Sequence, residues 1–280
     1  MPATLTPSPT YQDQAGTIPN STTITLDSRG QALVWAPDNT TLRQILKDAS
    51  GVTIWDQNVA SASIGTGRLL NVQVFTSSGT YTPTALTASV VVHVVGGGGG
   101  GGGAAATSAS QASAGAGGGG GSFAAGRFTS GFSGVSVTIG VAGGAGGAGG
   151  NGSAGGATSF GALMSCPGGA AGQGGAAITP PSFASAVTAG GGTPSGGNIF
   201  SSQGIQGNWG LALSTGQILS GKGGDSPYGS GGLARLNISA TGIDGTGYGS
   251  GGSGGCSGAS GGGFSAGNGR PGLVLIYEYA

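Results

Sequence analysis

The chain changes character at Val95, where a strand-like run, Val90-Val91-Val92-His93-Val94-Val95, enters an unbroken glycine tract from Gly96 to Gly103. From there to Pro271 glycine punctuates nearly every segment, and the chain holds 69 glycines among 280 residues. Glycine brings no side chain to a core and gives up more backbone freedom on folding than any other residue. At about 1–2 kcal/mol per ordered residue, fixing these glycines alone costs on the order of 100 kcal/mol. Such a region either stays disordered or is held by a dense set of backbone hydrogen bonds. Charged residues make up only 6% of the chain and the mean hydropathy is +0.15. Disordered chains are typically highly charged and poorly hydrophobic, so an ordered glycine region is expected.

The tract has a period. Gly143-Gly144-Ala145 repeats as Gly146-Gly147-Ala148, Gly149-Gly150-Asn151, Gly152-Ser153-Ala154 and Gly155-Gly156-Ala157, and the run from Ser250 to Gly261 keeps the same count. Three residues per turn is the polyproline-II screw, which rises about 3.1 Å per residue and makes no hydrogen bonds to itself. Two ridges of the first stretch are nearly all glycine, and the third carries Ala145, Ala148, Asn151, Ala154 and Ala157. Bare ridges let neighbouring segments approach, and sideways N–H to C=O bonds must then satisfy every buried amide. The expectation is a bundle of polyglycine-II helices within one chain. Collagen is excluded, because there are only 12 prolines and the triplet breaks repeatedly.

Strand patterns flank this region. Val72 to Val95 reads as a hairpin feeding it, with Val90, Val92 and Val94 on one face, and Leu273 to Tyr279 is the natural partner strand that closes the domain. Before residue 72, Thr22–Leu26, Gln31–Trp35, Thr41–Leu46 and Val52–Trp55 read as short strands separated by Asp27-Ser28-Arg29-Gly30, Pro37-Asp38-Asn39 and Lys47-Asp48-Ala49-Ser50-Gly51. Trp35, Leu46, Ile54 and Trp55 would supply their core, and so small a domain has limited burial of its own. The fold class expected is mainly β and irregular. A small antiparallel β domain spans 1–71, and a domain of packed polyglycine-II helices closed by β-strands spans 72–280.

Both parts resemble known proteins. Tyr11-x-Asp13-x-Ala15-Gly16-Thr17-x-Pro19-Asn20, Leu26-Asp27-Ser28-Arg29-Gly30-Gln31-Ala32 and Leu46-Lys47-Asp48-Ala49-x-Gly51-x-x-Ile54-Trp55 resemble the N-terminal virion-attachment module of bacteriophage tail spikes and tail fibres. The segment Asn39 to Gln44 lacks a tyrosine common there. Phe75-Thr76-x-x-Gly79-Thr80-Tyr81-Thr82-Pro83, the valine strand into Gly96–Gly103, Val137-Thr138-Ile139-Gly140, Ser226-Pro227-Tyr228-Gly229, Gly247-Tyr248-Gly249-Ser250-Gly251-Gly252 and the closing strand are similar to the glycine-rich adhesin domain of phage tail fibres. The resemblance implies a receptor-binding protein of the virion, at a tail fibre or tail tip and assembled in the host cytoplasm. Its partners would be a bacterial surface receptor, either outer-membrane protein or surface polysaccharide, and other tail proteins through residues 1–71. Monomer and homotrimer both stay open. A structural tail component without receptor contact is the alternative.

Little catalytic chemistry is on offer. A glycan-cleaving tail spike needs two placed carboxylates, and beyond residue 100 the only acids are Asp225, Asp244 and Glu278. His93, the only histidine, sits in a valine strand with no serine or cysteine motif around it. Matches to Gly-x-Gly-x-x-Gly join no strand to a helix. Cys166 and Cys256 fit no metal spacing and read as buried free thiols, with a disulfide between them the open alternative. No enzyme, cofactor or metal is expected. The formal net charge is zero, with no basic stripe for nucleic acid, no secretory signal at Met1 and no apolar run of membrane-spanning length. Function then rests on insertions carried by the scaffold. The longest stretch without an evident triplet, Ile178 to Leu219, offers Phe183, Phe200, Gln203, Gln206, Asn208 and Trp209 as receptor-binding candidates, aromatic and amide groups that suit protein loops or sugar rings. The competing expectation is that Phe183 and Trp209 merely cap the glycine bundle. Leu233 to Thr246, with Arg235 and Asn237, is a second candidate.

Overall fold

The computed structural model describes residues 10–12, 16–21, 23–36, 41–60, 67–186, 188 and 190–280, with no α-helix or 3-10 helix among them. Its contacts fall into two units, Met1–Arg68 with Ala280, and Leu69–Tyr279.

In the first unit Thr41–Lys47 pairs antiparallel with Thr53–Ala60. The carboxylate of Asp48 accepts the N–H groups of Ser50 and Val52, both at 2.9 Å, and fixes the turn between them. The other two expected strands do not form. Residues 23–26 pair with nothing, and Trp35 makes a single bridge to Tyr11. The Asp27 carboxylate takes the N–H groups of Arg29 and Gln31 into a local turn instead. Thr22, the turn Pro37-Asp38-Asn39, and Asp13 and Ala15 of the attachment pattern lie outside the described residues. Nor do Trp35, Leu46, Ile54 and Trp55 form a core: Trp35 and Leu46 are half-buried, Ile54 is 61% exposed, and no described residue of this unit is buried. A lone two-stranded ribbon has no second layer to bury its side chains against.

The second unit begins as a sandwich. Its five-stranded antiparallel sheet runs Phe200–Ser202, Phe123–Phe128, Ser89–Val95, Leu273–Tyr279, Leu69–Phe75, and a four-stranded sheet runs Met164–Cys166, Thr158–Phe160, Ser136–Thr138, Gly79–Thr80. Val90, Val92, Val94, Val274 and Ile276 meet Tyr81, Val137, Phe160, Met164 and Cys166 in the core between them. The valine strand thus alternates as its pattern requires. Leu69–Phe75 and Ser89–Val95 are not a hairpin, however. Leu273–Tyr279 lies between them and pairs with both, because a central position buries Val274, Ile276 and Glu278 completely.

From Val95 the chain leaves the sandwich into a lattice of three-residue screws. The N–H groups of Gly96, Gly99 and Gly102 donate to Ser122, Gly119 and Ala116; those of Gly97, Gly100 and Gly103 to Gly156, Ser153 and Gly150; those of Gly98, Gly101 and Ala104 to Arg270, Gly267 and Phe264, all at 2.8–2.9 Å. Each set descends in number, so those three neighbours run antiparallel. Three more neighbours run parallel and donate back: Gly169, Gly172 and Gly175 to the carbonyls of Gly97, Gly100 and Gly103, Gly143 and Gly146 to Gly98 and Gly101, Gly252 and Gly255 to Gly99 and Gly102. One glycine helix is therefore walled on all sides, the polyglycine-II packing anticipated from the triplet. A Cβ built at any residue from Gly96 to Gly103 would lie 1.8–2.2 Å from a neighbouring carbonyl oxygen. Real Cβ atoms do not approach so closely, which is the physical reason for an unbroken tract.

The triplet run from Gly143 to Ala157 is not one helix. The chain reverses at Gly149, whose φ is +66°, and Ser153 and Gly156 donate back to Gly144 and Val141. The triplet count survives the reversal. On the returning arm Asn151, Ala154 and Ala157 are exposed, whereas on the outgoing arm Gly144 and Gly147 are exposed and Ala145 is half-buried.

Candidate functional site

The return run Gly115–Ser122 is bonded on its own sides by 249–255, 167–173, 205–208 and 221–224, and leads back to the sandwich at Phe123. The end of the lattice remote from the sandwich therefore lies around Ala104 and Ala112–Ala114. There Ser113–Ala114 pairs with Cys256–Ser257, and a three-stranded sheet of Ser182–Phe183, Leu211–Ala212 and Ile218–Leu219 covers it. Ala112, Ala114, Ala184, Ala212, Ile218 and Cys256 form a second, small core beneath that sheet.

The opposite face of the small sheet is bare and apolar. Phe183 stands opposite Leu211, Leu211 opposite Leu219, and Leu219 bridges to Leu236. Directly opposed residues keep their Cβ atoms about 4.5–5.5 Å apart, so the four form one row on one face. Phe183 and Leu236 are 64% and 61% exposed. Trp209 extends the row, its ring edge-on to Phe183 at 5.8 Å and 46% exposed. A shallow open concavity is lined by Phe183, Ala184, Ser185, Ala186 and Trp209. Phe183 thus stands on the outer side of the sheet that covers this end of the lattice, with Trp209 packed against it. Contiguous apolar surface on this scale marks an interaction site more often than a solvated face.

Gln203 to Gly210 was expected to be free of the triplet and is not. Gly204, Gly207 and Gly210 lie against the lattice, where an added Cβ would stand 1.9 Å from Gly120 O, 2.2 Å from Gly117 O and 2.1 Å from Ala114 O. The carbonyls of Ile205 and Asn208 accept from Gly120 and Gly117. Gln203, Gln206 and Trp209 form the ridge farthest from the lattice, with Ile205 and Asn208 on the ridge beside it, and all five are exposed. Gln203 Nε2 donates to Thr193 Oγ1 at 2.9 Å. The structure therefore joins Phe183 to Trp209 and sets Gln203, Gln206 and Asn208 on the same rigid helix. Phe200 lies elsewhere, in the five-stranded sheet against Phe123 with ring centroids 5.9 Å apart. Sequence reasoning missed Leu211, Leu219 and Leu236, because the first two lie in strands too short to show a period and the third makes only an isolated bridge. The second candidate stretch contributes only Leu236 to the row; Asn237 instead accepts the Ile218 N–H, and Arg235 Nε donates to Thr241 O.

The titratable groups hold structural positions. Glu278 is fully buried, and its Oε1 accepts from Gln73 Nε2 at 2.9 Å, Tyr81 OH at 2.6 Å and Thr84 N–H at 3.2 Å, while Oε2 has no partner. Burial alone would raise its pKa, yet these donors together hold it below the ordinary value. Asp225, where burial also pulls upward, is kept below its ordinary value by Lys222 Nζ, 2.6 Å from both carboxylate oxygens, and by the Gly231 N–H. Asp244 faces Arg270 at 3.8 Å and accepts from the backbone and side chain of Asn268. Burial lowers the pKa of His93, whose Nδ1 shares a 2.7 Å hydrogen bond with Tyr228 OH on the outer face of the five-stranded sheet. Cys166 and Cys256 are buried free thiols, and burial pushes them up to about 12 and about 11.

An all-β sandwich that feeds a hydrogen-bonded glycine lattice defines a class of protein by its architecture alone. A profile of the glycine-rich domain matches residues 75–279, and the chain belongs to that family. No curated protein matches it significantly.

Proposed function

We infer that the chain is a receptor-binding protein of a phage tail, which attaches without covalent chemistry to the surface of a bacterial host. The observation that carries this reading is the row Trp209, Phe183, Leu211, Leu219 and Leu236, exposed except for the half-buried Leu211 and held at the far end of a lattice whose backbone is bonded on all sides. Surface aromatics on a rigid mount lose little conformational entropy on binding, and buried aromatic anchors dominate most interfaces. The resemblance of about Pro9 to Val59 to tail-attachment modules supports a place on a phage tail. The non-enzymatic reading draws on the acids beyond residue 100, which are either fully buried or engaged by a cation.

The test is competition for adsorption. Purified protein added to host cells should block phage attachment, and the Phe183→Ala, Trp209→Ala double variant should not. A structural tail component is the second reading. It is favoured by the first unit, which buries none of its described residues and so suits assembly against other proteins. Failure of the folded wild type to block would move the conclusion there.

A further inference from the structure

We propose that the ridge Gln203, Gln206, Trp209 is a binding ladder for an extended, uncharged glycan, lying beside the apolar row and sharing Trp209 with it. The inference deepens the receptor-binding reading and rests on it only for the choice of host polysaccharide as probe. Three residues of polyglycine-II rise span about 9 Å, so these side chains stand in a straight line about 19 Å long from first to last. Their spacing is fixed by the backbone, because Gly204, Gly207 and Gly210 pack so closely that an added Cβ would stand 1.9–2.2 Å from the carbonyl oxygens of Gly120, Gly117 and Ala114, and the carbonyls of Ile205 and Asn208 accept from Gly120 and Gly117.

The chemistry along the line suits sugar rings. Trp209 presents an apolar ring, and its packing against Phe183 sets that ring's orientation. Gln206 and, one ridge over, Asn208 carry exposed side-chain amides that bond no protein group among the described residues, so donors and acceptors are available to hydroxyl groups. Gln203 commits its Nε2 to Thr193 and keeps its carbonyl oxygen. The neighbouring helix, bonded through Asn208 N–H to Lys222 O, carries Lys222 and Asp225, which pair at 2.6 Å. Arg235, which has no carboxylate partner among the described residues, stands beside Leu236 at the other end of the apolar row and not on the ladder. A linear array without a deep pocket favours a chain of repeating units over a single compact ligand, each added unit meeting another rung.

The test is calorimetric titration of the full-length protein with neutral oligosaccharides released from the polysaccharide of the adsorbing host and fractionated by length. Affinity should rise with length and level off once the ladder is spanned, and Gln206→Ala should weaken the longest fraction about five- to tenfold. Circular dichroism of the variant should match the wild type. Equal affinity across lengths, or an unaffected Gln206→Ala protein, would overturn the ladder. Adsorption blocked by the protein without measurable glycan binding removes the ladder and leaves the receptor reading standing. Length-dependent glycan binding without blocking does the reverse.

Discussion

One methyl group is enough to separate the glycines that the lattice needs from those it tolerates. At Gly100 a Cβ would stand 1.9 Å from Gly144 O, whereas at Gly147 it meets nothing within 4 Å. Gly100→Ala should cost at least about 3 kcal/mol, since the obstruction is backbone that cannot change rotamer. Gly147→Ala should stay within about 1 kcal/mol of the parent, with a gain from the stiffer unfolded chain. Urea midpoints of the two variants check both. The need for glycine was legible in the sequence, but its distribution was not, because the nearest clash partners of Gly96–Gly103 lie 44 to 152 positions away. Glu278 gives a second residue-scale test. Removing its side chain strands the Tyr81, Gln73 and Thr84 donors, so Glu278→Ala should destabilise by about 2–4 kcal/mol in the same melts. Its folded pKa lies below the ordinary 4.5. Its contribution is therefore full above that value and is lost as pH falls through the folded pKa. Wild-type stability should drop in that acid window, and the drop should be shallower in Glu278→Gln.

At the scale of elements, the closing strand carries the sandwich. Leu273–Tyr279 pairs on both edges and places Val274 and Ile276 in the core. A chain ending at Gly272 should fail to fold, seen as loss of near-ultraviolet circular dichroism and of solubility. By contrast, the Phe183→Ala, Trp209→Ala variant removes exposed side chains and should keep its urea midpoint within about 1 kcal/mol while losing adsorption. The partnership of the valine strand with the last strand could be read from their matching apolar runs. That the last strand would insert between two earlier ones could not, because both orders satisfy the same alternation. Residues 23–36 misled for a different reason. Thr23, Ile24, Thr25 and Leu26 carry β-propensity, but propensity forms a strand only where a neighbour supplies a ladder, and Asp27 holds this segment in a turn. At the candidate site, Phe183 and Trp209 stood out by residue type. Leu211, Leu219 and Leu236 became a surface only once three short strands were aligned and Leu236 was bridged to the last of them.

Over the whole second unit, rigidity is what connects composition to function. A lattice that satisfies its amides on every side turns the most flexible residue type into a mount for fixed side chains, and the apolar row and the ridge beside it inherit their spacing from it. The most direct measurement is residue-resolved amide hydrogen exchange on the intact protein. Gly96–Gly103 and Gly115–Gly121 should exchange only through global unfolding, as slowly as the valine strand, because each of these N–H groups has its acceptor inside the lattice. Exchange of the glycine amides at the rate of an unstructured chain, with the valine strand still protected, would contradict the lattice and with it the fixed surface on which the proposed attachment rests.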